Sequence, residues 1–285
     1  MFEQPILIIG ASGAVGIPSF RYLVKRGATV RALTSSNQSA NRLQELGVSQ
    51  IEVGDFRLVK SLRSAMAGVD RVLFNPPRFT EDEAEIGLGV IAAARSSGIR
   101  RIVLNSVLHP ELSDLPHHRN KLRVQEALLN ADMEFVILQP AMFMQNIRLE
   151  WPSIINNGIY ARPYSPHQKQ SLIDTEDLGE AIACALIEDR LIGGTFELCS
   201  SERLSQSDMV DIICDVISRP VTAVERSHSE WESWARNKKW TPWAIDTYIK
   251  MCRHYDLHGY VGGNDLTLAA ILGRKPTDYR TFLKR

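Results

Sequence analysis

Three glycines, Gly10, Gly13 and Gly16, stand at G-x-x-G-x-x-G spacing in the segment PILIIGASGAVGIP. Glycines so spaced remove the side chains that would keep a backbone away from a pyrophosphate. The turn then offers the backbone of Ser12, Gly13, Ala14, Val15 and Gly16 to an anion, and a helix N-terminus adds partial positive charge. A strand–helix turn with no ligand would use the same glycines, so the flanking elements decide. Before the turn, 4–10 reads as a short apolar strand of the kind buried on both faces. After it, Ile17, Phe20, Leu23 and Val24 recur at helical spacing and Gly27 closes the helix. Strand, glycine turn and helix together are the setting that dinucleotide binding requires.

Other spacings are weaker. His254 and His258 are i,i+4 on a predicted helix, which suits a metal, but no acidic ligand accompanies them and Gly259 follows as a helix stop. No metal is therefore expected. The four cysteines, Cys184, Cys199, Cys214 and Cys252, form no C-x-x-C pair and read as thiols in a reducing compartment.

The rest of the chain supplies the frame. Further strands are expected at 28–33, 49–55, 70–77, 99–106 and 133–140, with helical segments between them. Alternation of this kind implies an α/β fold with a parallel, doubly wound sheet of Rossmann type. Ligands on such sheets lie beyond the carboxyl ends of the strands. That rule selects Asp55 and Phe56, Asn75, Pro76 and Pro77, Asn105 and Ser106, and Gln139, Pro140, Ala141 and Met142. After about residue 145 the rhythm changes. Residues 1–150 are read as the dinucleotide-binding domain and 151–285 as a smaller, mostly helical cap that carries the substrate. The two are interleaved, because a strand and helix near 170–188 return toward the first; Thr175 is the expected N-cap of that helix. Four of the five tryptophans fall between Trp231 and Trp243. They either line a substrate pocket or form the core of a small helical lobe.

The 285 residues carry 33 basic and 33 acidic side chains, with 44% hydrophobic residues. Balanced charge argues against nucleic acid or a membrane surface as the main partner, and no apolar run is long enough to span a bilayer. No signal peptide is recognised, and a cytoplasmic location is expected.

The segments IIGASGAVG, VRALT, VGDF, RRIVLNSV, LPHHRNKLRVQEAL, ILQPAMFMQNI and LAAILGRKPTDYRTFLKR resemble the NmrA-like family, an atypical branch of the short-chain dehydrogenase/reductase superfamily. The resemblance spans nearly the whole chain. It implies NAD(P)(H) bound on a Rossmann-type sheet, with a small-molecule substrate between the sheet edge and the C-terminal lobe at residues such as Pro140, Met142, Phe143 and Asn146. Members of the family include quinone and dye reductases, and also redox sensors that bind the nucleotide and regulate transcription.

The superfamily's Y-x-x-x-K pair is missing, since no tyrosine stands four residues before a lysine. His117, His118, Arg119, Asn120 and Lys121 occupy the corresponding region. His117 and Lys121 share a helix face. Lys121 is the candidate for the nicotinamide ribose, or else a solvated surface lysine. His117 is the candidate proton donor, or else an exposed first-turn histidine. Ser106 could hydrogen-bond a substrate carbonyl or the nicotinamide. No acid follows the second strand, where Thr34, Ser35, Ser36 and Asn37 stand, and Arg31 lies within that strand. An acid there would hold the ribose of NAD, so NADP(H) is favoured over NAD(H). Asp55 and Phe56 would flank the adenine.

The expected function is NAD(P)H-dependent reduction of a small conjugated carbonyl or quinone-like molecule. Two alternatives stand beside it: a nucleotide sensor that binds a partner protein without turnover, and a redox-neutral isomerase or cyclase.

Overall fold

The computed structural model describes residues 4–285. Six strands follow one another into a central sheet: β1 (Ile6–Ile9), β2 (Val30–Thr34), β3 (Gln50–Val53), β4 (Arg71–Phe74), β5 (Arg101–Asn105) and β6 (Glu134–Pro140). The chain then leaves the sheet for β7 (Met142–Phe143), β8 (Ile159–Arg162) and β9 (Gln170–Ile173), and returns to its edge as β10 (Thr195–Leu198). Two short strands, β11 (Arg203–Leu204) and β12 (Thr222–Glu225), come last. The order across the sheet is β10-β6-β5-β4-β1-β2-β3, and every pairing in it is parallel. β1 lies between β2 and β4, so the winding direction reverses at β1 and β4. That reversal opens a crevice at their carboxyl ends.

The continuous apolar run of β1 is explained by burial on both sides. Ile6 and Ile8 join one core with Phe20 and Leu23 of α1 (Gly16–Lys25), Leu43 of α2 (Asn37–Glu45) and residues 178–186 of a later helix. Leu7 and Ile9 join the other, with Leu62 and Met66 of α3 (Val59–Met66), Val90 and Ile91 of α4 (Glu83–Ser96), and Val124 and Leu128 of α5 (Pro116–Leu129). Each such side chain contributes about 1.5–3 kcal/mol relative to exposure. Val24 departs from the expected helical stripe and is 48% exposed, because α1 turns Gly16, Pro18, Ser19, Phe20 and Leu23 inward.

Beyond the sheet lie α6 (Trp151–Asn157), α7 (Thr175–Ile187), α8 (Gln206–Ile217), α9 (His228–Asn237), α10 (Pro242–His258), α11 (Leu266–Leu272) and α12 (Tyr279–Leu283). α7 packs back onto α1 beneath the sheet. Its N-cap is Asp174, whose side chain accepts from Glu176 N–H, and Thr175 is the first helical residue instead of the cap. The short carboxylate one residue earlier reaches the free amide, so the start shifts by one. At the other end of α7, the fully buried Arg101 donates to the carbonyls of Ala185, Leu186 and Glu188 and pairs with Glu134 and Asp189. A cation there complements the helix C-terminus. The α1–α7 contact is closed by Gly179: a Cβ at that position would lie 2.5 Å from Pro18 Cβ and 2.8 Å from Ser19 N. Gly179→Ala must therefore push α1 and α7 apart and lower stability by about 1–3 kcal/mol. Urea unfolding measures this, and an unchanged midpoint would show that the two helices are not locked.

Candidate functional site

The loops that follow β1, β4 and β5 meet at the carboxyl edge of the sheet. Gly10 adopts φ +81°, and a Cβ on it would lie 3.0 Å from Asn75 Cβ. Gly16 is more tightly held, since a Cβ there would lie 2.4 Å from Gly10 O and 2.5 Å from Ala11 O. Both glycines are thus required by the packing of the turn. Gly13 differs. Its nearest neighbour to a Cβ is Gly10 O at 3.4 Å, and its backbone lies outside the left-handed region. The folded chain leaves room for a Cβ at Gly13. At the start of α1, Val15 is the N-cap and gives the first-turn amides no side-chain acceptor. By contrast Ser36, Ser205 and Ser227 cap α2, α8 and α9. Ser12, Gly13 and Ala14 are solvent-accessible at this end.

Asn75 and Asn105 bridge the next two strands. Asn105 Nδ2 donates to Asn75 Oδ1 at 3.0 Å, while Asn75 Nδ2 and Asn105 Oδ1 are buried without a partner. One residue on, Ser106 Oγ accepts from Gln125 Nε2, and Gln139 Nε2 donates to Gln125 Oε1 at 2.9 Å. This chain of polar groups ties β5 and β6 to α5.

On α5, Lys121 is not a solvated surface lysine. It pairs with Glu83 in the first turn of α4, and the Glu83 side chain is wholly buried. Burial pushes the Glu83 carboxyl up, and the Lys121 ammonium opposes that shift. The second carboxylate oxygen, Glu83 Oε2, has no partner. His117 is not an exposed first-turn histidine either. It is buried, its ring lies 5.0 Å from Phe79, and its Nδ1 has no partner. Burial, with the charges of His118 and Lys121 in support, pushes its pKa well below the ordinary imidazole value, so it is neutral at pH 7. Phe79 itself sits at φ +51°, a conformation that a bulky side chain adopts only when its surroundings hold it. It touches Trp240 and Tyr248, with ring centroids 5.9 and 5.7 Å away. Tyr248 in turn stacks on Trp231 at 4.0 Å. Trp231, Trp234 and Trp240 therefore pack against one another, and reach Phe79 through Trp240 and Tyr248.

Several expected residues stand apart from this edge or are otherwise engaged. Arg31 lies near the amino end of β2, donating to Gln50 and to the carbonyls of Ala65 and Ala67 at the end of α3. Its guanidinium serves the fold. Thr34 is buried and Ser35 exposed at the carboxyl end of β2. Asp55 accepts from Arg57 N–H at 2.9 Å, and the Arg57 guanidinium lies 5.3 Å over the Phe56 ring. Pro76 follows Asn75 in the β4–α4 loop. Pro140 ends β6, and Met142, Phe143 and Asn146 border a cavity of about 10 Å³, room for one water molecule. Gln145, between them, donates to Asp174 at 2.6 Å and accepts from Thr175 N–H. His254 and His258 bring their rings within 4.8 Å, and no group of metal-ligating side chains occurs among the described residues. No helix is long and apolar enough to cross a membrane among those residues.

Glu83, Phe79, Gln125, Tyr248 and Arg162 were not picked from the sequence. Glu83 is one of four acids in the stretch EDEAE, and only its inward turn distinguishes it.

His118 offers a stability test of this buried edge. It is wholly buried and donates from Nδ1 to the His109 carbonyl at 2.7 Å; desolvation lowers its pKa from 6.5 to about 4. The folded state therefore resists protonation that the unfolded chain accepts. Stability from this group is full above pH 6.5 and falls as pH drops toward 4. The loss is about 1.4 kcal/mol per pH unit. Unfolding of wild type and His118→Gln across that window should show a shallower pH dependence in the variant. Parallel curves would show that His118 titrates alike in both states.

A model of the NmrA-like family matches residues 3–234. The NAD(P)H azoreductase of Xenophilus azovorans is 26% identical over 225 residues, covering 77% of this chain and 76% of that protein. Among solved structures, the NADPH-dependent quinone oxidoreductase of Escherichia coli, complexed with NADPH, superposes with a TM-score of 0.84 at 19% identity, covering 98% of each chain. The triphenylmethane reductase of a Citrobacter species, complexed with NADP(H), gives 0.81 at 20% identity, covering 98% of this chain and all of that one. At such identities the two structures establish a common fold. The family match extends over most of the sequence and includes the glycine turn, the buried carboxyl edge and much of the C-terminal lobe: the chain belongs to the NmrA-like family.

Proposed function

We propose that the protein is an NADP(H)-dependent reductase that passes a hydride to a small conjugated carbonyl or quinone-like acceptor. One observation carries the reading. At the β1/β4 crevice the turn leaves Gly13 bare where the fold does not need it, and buried polar atoms of Asn75, Asn105, Glu83 and His117 lack partners beside it. An unpaired buried polar atom costs about 1–3 kcal/mol, so a site that collects several fits a polar ligand. A dinucleotide suits the set, with its pyrophosphate at the N-terminus of α1 and its ribose and amide groups toward Asn75, Asn105 and Lys121. The azoreductase, quinone reductase and dye reductase relatives support the same assignment.

NADP(H), when bound, supplies the hydride. The chain's residues hold and surround it. The amides of residues 12–16 and the α1 dipole neutralise phosphate. The absence of an acid after Thr34, with the exposed Ser35 in its place, removes a repulsion that the 2′-phosphate of NADP would meet. Asp55 and Phe56 border the adenine side. Lys121, fixed by Glu83, donates to the nicotinamide ribose. Ser106, held by Gln125, faces the acceptor's carbonyl. His117 is neutral and therefore carries no spare proton at rest. It hydrogen-bonds the reduced oxygen and relays a proton from water instead of supplying a stored one. Acceptors that become stable phenols or hydroquinones tolerate this, since their oxyanions need no strong acid. Pro140, Met142, Phe143 and Asn146 form the wall nearest the substrate, and the Phe79–Tyr248 contact closes the cap over it.

The test is fluorescence titration with NADPH, NADP+, NADH and NAD+, followed by NADPH oxidation with quinones, enones and azo dyes. Lys121→Ala alone would strand a buried carboxylate, a loss of about 3–5 kcal/mol. The comparison therefore also uses the Lys121→Met, Glu83→Gln double variant. NADPH should bind tightest to the wild type. It should weaken about 10-fold or more in the double variant, the worth of a hydrogen bond to a charged group. Gly13→Ala should lose affinity similarly while keeping wild-type stability. Absence of nucleotide binding, or equal affinity in all three proteins, would contradict the assignment.

A further inference from the structure

The cavity bordered by Met142, Phe143 and Asn146 has a charged wall. Arg162, at the end of β8, is only 7% exposed and lines it. Its Nη2 donates to the Asn146 carbonyl at 2.9 Å, and its Nε to Tyr160 Oη at 3.4 Å. Nη1 makes neither bond. Among the described residues no carboxylate lies within ion-pairing distance of Arg162; Glu150 pairs with Arg226 instead, at 3.3 Å. The Tyr160 ring, 5.6 Å from the guanidinium carbon, gives partial compensation through its π face. An arginine stays charged at any working pH, and a buried charge without a counter-ion carries a penalty of several kcal/mol.

A second polar group on the same cavity is unsatisfied. Tyr279, in the first turn of α12, is 1% exposed, and its hydroxyl has no partner. A phenol O–H and a guanidinium thus border one small space whose other walls are mostly apolar, Met142, Phe143, Met144, Ile147, Leu172 and Met209, with Asn146 and Tyr160 as its other polar residues. Arg162 finds only neutral acceptors there, the Asn146 carbonyl and the Tyr160 hydroxyl, and the Tyr279 hydroxyl finds none. The space itself admits one oxygen, so a larger anion enters it with a single oxygen and keeps the rest of its body outside.

We propose that this cavity is a subsite for a compact monoanion, of which a carboxylate oxygen is the best fit, held by Arg162 and Tyr279. The anion has two sources: an acidic group on the substrate, or a free ion that neutralises Arg162 permanently. The position of the cavity favours the first. Met142, Phe143 and Asn146 follow directly from the carboxyl end of β6 at the sheet edge. That the anion belongs to the substrate rests on the reductase reading; that the cavity takes an anion does not.

The experiment measures thermal midpoints against sodium formate and sodium chloride for wild type, Arg162→Met and Tyr279→Phe. The wild type should show a rise of about 3 °C at tenfold excess over the dissociation constant, growing further with the logarithm of formate concentration. Arg162→Met should lose it, and Tyr279→Phe, which keeps the cation and fills the same space, should weaken formate binding several-fold. General salt effects would be common to all three proteins. A formate response absent from the wild type, or identical in wild type and Tyr279→Phe, overturns the proposal even if Arg162→Met fails to fold. The source is read from KM values for a carboxylated and a neutral naphthoquinone with NADPH. A preference of about 10-fold for the acid, lost in Arg162→Met, assigns the anion to the substrate. Equal KM values with formate binding intact assign it to a free ion. Absence of all turnover would sink the reductase reading and leave the formate result standing.

Discussion

The structure depends on a chain reversal that leaves no space for a side chain at Gly16. The carbonyls of Gly10 and Ala11 lie where its Cβ would be, so α1 can begin directly against the end of β1. Gly10, in the left-handed region, brings the same turn against Asn75 at the end of β4. These two contacts set the crevice at the point where the sheet changes winding direction. From there the placement of the rest follows. α1 runs back under the sheet and meets α7 across Gly179. α7, clamped at its far end by Arg101, delivers β10 to the sheet edge. Without the close turn, α1 would start farther out and its uncapped amides would not converge on the crevice.

The second organising feature is the price of dryness at the carboxyl edge. Glu83, His117, His118, Ser106, Gln125 and Gln139 are all buried there. Hydrogen bonds satisfy part of this set and leave other atoms open. Low polarity keeps the histidines neutral and strengthens the Glu83–Lys121 attraction. A neutral His117 next to a fixed ammonium suits chemistry in which the cofactor carries the reducing power and the protein contributes position and field. On the proposed reading the missing Y-x-x-x-K pair matters less, because an acceptor whose reduced form is a stable phenolate asks less of an acid catalyst than a ketone does.

Much of this was legible in the sequence, and the reasons are local. β1, the glycine turn and α1 are encoded by contiguous residues whose period and glycine spacing have one physical solution. The six strands in sequence were read to within a few residues, because most are short apolar runs closed by glycine, proline or asparagine; β2 is closed instead by Ser35 and Ser36, and β3 alternates polar and apolar residues. The carboxyl edge of the sheet, where the ligand is proposed to lie, follows from topology alone. What failed needed tertiary information. Arg31 lies in the correct strand, but at its amino end, facing the end of α3. Thr175 and Asp174 are equally good caps by type, and only the backbone decides between them. Val24 fits a helical stripe that α1 does not in fact bury. Four acids precede α4 or lie in its first turn, and the selection of Glu83 as the partner of Lys121 depends on how α4 packs against α5. Arg162 looks like an ordinary strand-end arginine before a proline; its isolation from carboxylates exists only in three dimensions.

The central claim is that the β1/β4 crevice holds a dinucleotide over a turn whose middle glycine the fold itself does not require. A crystal structure of the protein grown with NADPH tests it most directly. The account predicts the pyrophosphate over the amides of Gly13, Ala14 and Val15 at the start of α1, with the nicotinamide ribose within hydrogen-bond distance of Lys121. Nucleotide bound elsewhere, or an unchanged empty turn at saturating NADPH, would contradict it.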